Sequence, residues 1–97
     1  MTGDGIRFGR FRFDLDRRQL FRDEVAMRLG SRAVDVLYAL AAAKGDVVSK
    51  EELLARVWPG VVVEENNLQV QVSLLRKALE TSGESHLVTV PGRGYRL

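Results

Sequence analysis

Apolar and polar residues alternate along the first part of the chain, after a polar stretch, residues 1–5, that we predict to be a disordered leader. Phe11, Phe13 and Leu15 are separated by charged residues, and this period of two is that of a β-strand with one buried face. Charged pairs and triplets interrupt the pattern where turns would. The pattern predicts an antiparallel meander of two or three strands between residues 6 and 29, with Phe11 and Phe13 on its inner face.

After residue 30 the apolar residues recur at the spacing of an α-helix, and the spacing predicts three helices. Ser31 can cap the first helix, which should end at Gly45–Asp46. The second starts with a capping box, in which the Ser49 hydroxyl meets one free backbone amide and Glu52 reaches back to another. Pro59–Gly60 stops this helix, because proline cannot continue it.

The third predicted helix, about residues 64–81, follows an apolar connecting loop, and Gly83 is its expected stop. Two extended stretches around the turn at residues 91–94 then predict a C-terminal β-hairpin. The predicted fold class is therefore α+β: an N-terminal antiparallel meander, three helices and a hairpin, in one domain spanning residues 6–97.

The third helix has two different faces. One carries a narrow apolar stripe that suits a protein core: Leu68, Val72, Leu75 and Leu79. The other combines amides, a hydroxyl, a cation and two aliphatic side chains: Asn66, Val70, Ser73 and Lys77, flanked by Asn67, Gln69 and Leu74. Amide side chains can donate to and accept from an adenine edge at once, and small aliphatic groups fit a thymine methyl. We therefore predict that this helix lies in a DNA major groove. The structural alternative is an amphipathic helix whose outer face is inert or contacts another protein.

Composition narrows the possible functions only in part. The chain has 97 residues, 45% of them hydrophobic and 29% charged, as in an ordinary globular domain. It has no cysteine, which excludes disulfides and thiolate metal sites. A formal net charge of +2 permits nucleic-acid binding without requiring it. We expect a cytoplasmic domain, or the cytoplasmic side of a larger regulator, that is not an enzyme and has no cofactor, metal site or small-molecule substrate.

Three motifs follow one another along the chain: SKEELLARVWP at residues 49–59, LLRKAL at 74–79 and VTVPGRGYRL at 88–97. Together they resemble the OmpR/PhoB-type effector domain of bacterial transcription regulators, over nearly the whole chain. The resemblance implies a winged helix-turn-helix that binds double-stranded DNA sequence-specifically. Its third helix would enter the major groove, and its wing, residues 91–94, would lie near the minor groove.

Carried over position by position, the resemblance implies two sets of DNA-contacting residues. The base-facing set is Asn66, Asn67, Val70, Gln71, Ser73 and Leu74. The phosphate-contacting set is Lys50, Trp58, Arg76, Thr89 and Tyr95. The helix projection adds Lys77, and Arg93 is the expected minor-groove cation, because response regulators of this family often have an arginine where Pro91 stands here.

Four of these positions also have a structural interpretation. Asn66 could cap the third helix together with Gln69, as in a capping box. Trp58 could lie at the edge of the core, and Lys50 could be a solvated lysine at a helix start. The glycines on either side of Arg93 suit a tight turn that needs a positive φ.

The start of the third helix and the PGRGY sequence of the wing are more similar to the ToxR and CadC types, whose DNA-binding domain is N-terminal, than to phospho-receiver regulators. We expect the chain to be part of a longer protein. The resemblance implies an RNA polymerase contact through loop 59–64, and an isolated domain that is monomeric and binds DNA in tandem. The alternative function is a protein–protein interaction module with an apolar patch at Val61–Val63, Val70 and Leu74.

Overall fold

The computed structural model describes residues 5–81 and 84–97. The N-terminal strands are β1 (Gly5–Phe8), β2 (Phe11–Asp14), β3 (Gln19–Arg22) and β4 (Val25–Ala26). The helices are α1 (Ser31–Ala42), α2 (Lys50–Val57) and α3 (Glu65–Ala78). Four short strands follow: β5 (Glu80–Thr81), β6 (Glu84–Ser85), β7 (Val88–Val90) and β8 (Gly94–Arg96). Within the described residues, no helix is both long and apolar enough to cross a membrane.

The N-terminal sheet has the order β1-β2-β3-β4, with every neighbouring pair antiparallel. Phe11 and Phe13 are fully buried, which confirms their predicted place on the inner face. The prediction of two or three strands was wrong, because β4 adds a fourth that is only two residues long. So short a strand depends on its hydrogen bonds to β3 and leaves almost no periodic signal. Gly5 already belongs to β1, and the rest of the predicted leader, residues 1–4, lies outside the described residues.

The predicted cap of α1 was wrong by one residue. Gly30 is the N-cap, with an extended backbone and no side chain to form a cap hydrogen bond, and Ser31 is the first helical residue. The helix ends at Ala42, before the predicted stop, and a turn carries the chain to Gly45, whose φ of +94° favours glycine.

Half of the capping box of α2 forms. The Ser49 hydroxyl accepts a hydrogen bond from the backbone amide of Glu52 at 3.1 Å, as predicted. The Glu52 carboxylate lies 3.0 Å from Arg56 one turn later, so it is engaged along the helix surface. Trp58 is the C-cap, and α2 ends just before Pro59.

The start of α3 agrees with the prediction, but the predicted cap and the C-terminal end differ. Glu64 is the N-cap, so Asn66 lies inside the first turn and does not cap the helix. The helix ends at Ala78 and not near residue 81, because β5 and β6 pair antiparallel directly after it. Gly83, the predicted stop, lies outside the described residues. A strand pairing outside the helix therefore sets its end.

The apolar stripe of α3 is buried, as predicted. Its four members are at most 2% exposed: Leu68, Val72, Leu75 and Leu79. They belong to one core cluster with the inner face of the sheet and with Leu37 and Leu40 of α1. Each fully buried leucine stabilises the fold by about 1.5–3 kcal/mol, so this stripe fixes the rotation of α3 about its own axis. The opposite face must then point outward.

The C-terminal hairpin of β7 and β8 forms as predicted, with a turn at residues 91–93. Val48 joins it as a third, single-residue strand. Its amide donates to the Tyr95 carbonyl at 2.8 Å, and the Tyr95 amide donates back at 3.0 Å. A Cβ on Gly94 would lie 2.0 Å from the Val48 carbonyl oxygen, so only glycine permits this approach. These bonds attach the hairpin to the start of α2.

Candidate nucleic-acid interface

The outer face of α3 forms a shallow open groove. Its lining residues are Asn66, Gln69, Val70, Ser73, Leu74 and Lys77. All six are exposed, and the two aliphatic ones have 47% (Val70) and 56% (Leu74) of their surface in solvent. Five of the six were predicted DNA-contacting residues, and Gln69 was not. The helix projection had placed Gln69 on the flank of this face, so the signal to include it was present in the sequence.

Two of the predicted base-facing amides lie differently. Asn67 is exposed, but its side-chain nitrogen donates to the backbone carbonyl of Glu64 at 3.3 Å, at the start of the helix. Gln71 is half-buried on the flank and does not line the groove. The amides that lie in the groove beside the two aliphatic side chains are therefore those of Asn66 and Gln69. The amides of Asn67 and Gln71 lie outside it.

Lys50, a predicted phosphate contact, pairs with the first residue of α3. Its Nζ lies 2.9 Å from the Glu65 carboxylate. The same hydrogen bond and the opposite charge raise the pKa of Lys50 and lower the pKa of Glu65. The N-terminal ends of α2 and α3 are thus joined by an ion pair in which both side chains remain partly exposed. The lysine still has two N–H groups for another acceptor.

Arg76 and Thr89, two further predicted phosphate contacts, touch each other. The Arg76 guanidinium donates to the Thr89 hydroxyl, linking the last turn of α3 to β7. This bond sets the position of the hairpin relative to α3. A guanidinium has five N–H donors, so Arg76 can hold Thr89 and still present donors outward.

The two aromatic members of the predicted phosphate set are mostly packed inside. Tyr95 is only 5% exposed and belongs to the core, which leaves little of it for a DNA contact. Trp58 is half-buried against the core, and the Arg32 guanidinium carbon lies 5.9 Å from its ring centroid. Arg32 also donates to the Val57 carbonyl at 2.7 Å. Trp58 therefore has an evident structural role at the end of α2.

The turn between β7 and β8 presents Arg93 to solvent. Its backbone amide donates to the Val90 carbonyl at 2.9 Å, closing the turn, and Gly92 supplies a positive φ of +73°. The predicted tight turn is confirmed. It places the Arg93 side chain at the outermost part of the hairpin.

A second shallow groove lies away from the outer face of α3. It is lined by residues of α2 and the following loop: Leu54, Ala55, Trp58, Gly60, Val61, Val62 and Val63. Val61 is 61% exposed and Val62 is fully exposed. The apolar residues of the loop and those of α3 line two different grooves, so the single apolar patch predicted for a protein-interaction module is divided.

The chain is similar in sequence to one family of known proteins. The sequence profile described as "Transcriptional regulatory protein, C terminal" matches residues 23–97, well over half of the chain. The chain belongs to this family. Its members are regulators of transcription, which agrees with the meander, the three helices and the C-terminal hairpin described above.

Two relatives illustrate this membership in the transcriptional regulatory protein family. The chain is 32% identical over 95 residues to the transcriptional activator CadC of Escherichia coli, covering 95% of the chain and 19% of CadC. It is 39% identical over 88 residues to the transcriptional regulatory protein CutR of Streptomyces coelicolor, covering 89% of the chain and 39% of CutR. The chain thus spans between a fifth and two fifths of these relatives. The narrower similarity to the CadC type stays a prediction.

Solved structures agree with the family assignment. The DNA-binding domain of CadC superposes with a TM-score of 0.81 at 29% identity, covering 100% of this chain and 94% of that one. The DNA-binding domain of Klebsiella pneumoniae RstA, solved in complex with the RstA box, superposes with a TM-score of 0.77 at 28% identity. That match covers 97% of this chain and 96% of the RstA chain.

Proposed function

We propose that this domain binds double-stranded DNA sequence-specifically, as the DNA-binding part of a bacterial transcription regulator. The observation that carries the proposal is the outward groove of α3, where amides, a hydroxyl and two aliphatic side chains are exposed beside a buried leucine stripe. Exposing the apolar side chains of Val70 and Leu74 to water does not stabilise the domain. Contact with thymine methyl groups in the major groove would explain their exposure. The RstA domain, of the same fold, has been solved bound to its DNA box.

In the proposed complex, α3 lies in the major groove. Its 14 residues span about 21 Å, and the groove, about 12 Å wide, admits a helix. Asn66 would form hydrogen bonds to a base edge, and Val70 and Leu74 would pack on thymine methyl groups. The Ser73 hydroxyl would donate a hydrogen bond to a base or accept one from it. Asn67 and Gln71 stay candidates for base contacts at the two flanks of the helix.

The backbone contacts would surround this helix. Lys50 and Arg76, already held by Glu65 and Thr89, would meet phosphates on the two sides of the groove. Lys77 would contact the backbone beyond α3, and Arg93 at the turn would reach the neighbouring minor groove. The other predicted phosphate contacts are Thr89, Trp58 and Tyr95, the last two contributing only their exposed edges. Phosphate contacts of this kind fix the register of a helix, whereas base contacts give the sequence preference.

The deciding experiment is selection of bound sequences from random duplex DNA with the wild-type domain. We expect a consensus with adenine and thymine at the positions facing α3. The spacing and direction of repeated half-sites would also show whether two domains bind in tandem, although the isolated domain is proposed to be monomeric. Recovery of no consensus, with equal affinity for unrelated duplexes, would refute sequence-specific binding.

A protein contact is proposed for the loop at residues 59–64. Its support is the exposure of Val61 and Val62 in a groove separate from that of α3. The proposed partner is RNA polymerase, and the proposed location is cytoplasmic. Val62→Ser should leave DNA affinity unchanged and lower transcription from a promoter that the full-length regulator activates. Loss of DNA binding in this variant would contradict the separation of the two surfaces.

The alternative function, a winged helix used only as a protein-interaction module, makes a different prediction. Under it, Asn66→Ala would change no DNA preference, because the domain would have none. Under the proposed function, the same variant loses discrimination at one base pair, worth roughly 1–3 kcal/mol. Binding measured with the selected duplex and a scrambled duplex separates the two.

A further inference from the structure

Gln69 lies in the same groove as the proposed base contacts. It is exposed on α3, one helical turn from Asn66 and from Ser73. The resemblance to known regulators implied Gln71 as the base-facing glutamine, but Gln71 is half-buried and outside the groove. The position of Gln69 makes it the glutamine that would meet the floor of the major groove.

The orientation of the Gln69 amide is fixed by Glu65. The Gln69 nitrogen lies 3.2 Å from the same Glu65 oxygen, Oε2, that accepts from Lys50 at 2.9 Å. An ionised carboxylate can only accept, so the amide must turn its NH₂ group, and not its oxygen, toward Glu65. The hydrogen bond from Lys50 lowers the pKa of Glu65, and the carboxylate is therefore ionised at neutral pH.

What remains free on Gln69 is one acceptor and one donor. Glu65 takes one of the two N–H bonds, and the carbonyl oxygen and the second N–H stay available. Adenine presents the complementary pair in the major groove, an N6 amino donor beside the N7 acceptor. Guanine presents two acceptors there, cytosine offers only its amino donor, and thymine an acceptor and a methyl. An amide held in this orientation therefore selects adenine.

We propose that Gln69 is a specificity-determining residue that reads one adenine in the major groove, and that Glu65 is the positioning residue that holds its amide. The inference rests on the proposed function, since it concerns how the same α3 surface reads DNA. Lys50 is the third member of this arrangement, because its charge keeps Glu65 in place. Holding the amide before binding reduces the ordering of a flexible side chain that the complex would otherwise require.

The test compares four proteins by selection from random duplex DNA, followed by binding to the selected duplex and to its single-base variants. These are wild type, Gln69→Ala, Glu65→Ala and the control Glu51→Ala. Glu51 is an exposed carboxylate in the first turn of α2 that also raises the pKa of Lys50. The control therefore removes the same charge near the same lysine, and Glu51 is not bonded to Gln69. Thermal unfolding of each variant checks that it is folded.

For Gln69→Ala we expect loss of about a tenfold preference for adenine at one operator position, with the other positions unchanged. Glu65→Ala should weaken preference at that same position and raise affinity for all duplexes, since it also frees Lys50. Glu51→Ala should raise affinity for all duplexes and keep every preference.

Three results would overturn the inference. If Gln69→Ala keeps all base preferences, or lowers the affinity for every duplex equally, Gln69 does not read a base. If only Gln69→Ala changes the preference, the positioning role of Glu65 is wrong. Failure of the proposed function looks different, because the wild-type domain itself would then select no consensus.

Discussion

Gly94 is the residue whose identity the fold constrains most sharply. It has a φ of +149°, and its α-carbon faces the Val48 carbonyl so closely that a Cβ would lie 2.0 Å from the oxygen. Gly94→Ala must therefore push β8 away from Val48 and break the pair of hydrogen bonds that attach the hairpin to α2. We expect a loss of about 1–3 kcal/mol in the free energy of unfolding, measured by urea denaturation.

Gly92→Ala is the matched control for that prediction. Gly92 also has a positive φ, +73°, but a Cβ there would meet open space. Gly92→Ala should lower the free energy of unfolding only by the backbone strain, roughly 1 kcal/mol. Equal destabilisation by the two substitutions would mean that the approach of β8 to Val48 is not what requires glycine at residue 94.

Leu74 and Leu75 are neighbours in sequence with opposite roles. Leu75 is 0% exposed in the core, and Leu74 is 56% exposed in the groove. Leu75→Ala should lower the free energy of unfolding by about 2–5 kcal/mol, because it leaves a cavity in the core. Leu74→Ala should change stability by less than about 0.5 kcal/mol and still weaken binding to the selected duplex several-fold. Urea denaturation and a binding titration on each variant check both statements, and a destabilised Leu74→Ala variant would contradict the helix orientation.

Among the elements, the N-terminal sheet is held together by ion pairs from β2 and the turn before it to the turn between β3 and β4. Arg12 lies 2.9 Å from Glu24, and Arg10 pairs with Asp23. These hydrogen bonds hold the pKa of Glu24 below its ordinary value of 4.5 and that of Asp23 below 3.8. The stabilisation is therefore complete above those ordinary values and is lost as the pH falls through the lower values of the folded state.

Acid unfolding of Glu24→Gln tests this contribution. The variant lacks the carboxylate, so its stability should fall less than that of the wild type when the pH is lowered from 6 toward the acid range below 4.5. Both pairs are solvent-exposed, so the difference should shrink at high salt. Parallel pH profiles for the two proteins would show that the pair contributes nothing to stability.

The three helices, the main strands of the meander and the C-terminal hairpin were predictable from the sequence, whereas the short strands β4, β5 and β6 and several element boundaries were not. The leucine stripe of α3 and the buried phenylalanines of β2 follow directly from periods of 3.6 and two. The C-terminal end of α3 could not be found this way, because the pairing of β5 with β6 ends the helix and no local propensity encodes that pairing. The start of α1 was missed because Gly30, which has no capping side chain, takes the place expected for Ser31.

The candidate site was predictable to the level of a helix face and not to the level of each amide. Helical geometry alone places Val70, Ser73 and Lys77 outward. The orientation of individual side chains depends on partners that a helix projection does not contain. Asn67 turns back to the Glu64 carbonyl, and Gln69 is held by Glu65, whose own position depends on Lys50 of another helix.

Within residues 5–81 and 84–97, few cations surround the proposed DNA-binding surface. Four are available for phosphates or the minor groove: Lys50, Arg76, Lys77 and Arg93. For each phosphate that the protein neutralises, the logarithm of the affinity for duplex DNA falls by about 0.9 when the salt concentration rises tenfold. We therefore expect a slope of log affinity against log salt no steeper than about −4. A titration of the selected duplex across salt concentrations gives this slope, and a value near −8 would mean that other basic residues of the surface also contact DNA.

The most direct test is an NMR titration of the isotope-labelled domain with its selected duplex, recording nuclear Overhauser contacts between protein methyls and DNA bases. The account predicts contacts from the Val70 and Leu74 methyl groups to base protons or thymine methyls in the major groove, and amide shifts concentrated in α3 and the turn at residues 91–93. Shifts confined to the N-terminal sheet or to loop 61–63, with no contact from the α3 methyls to any base, would contradict it.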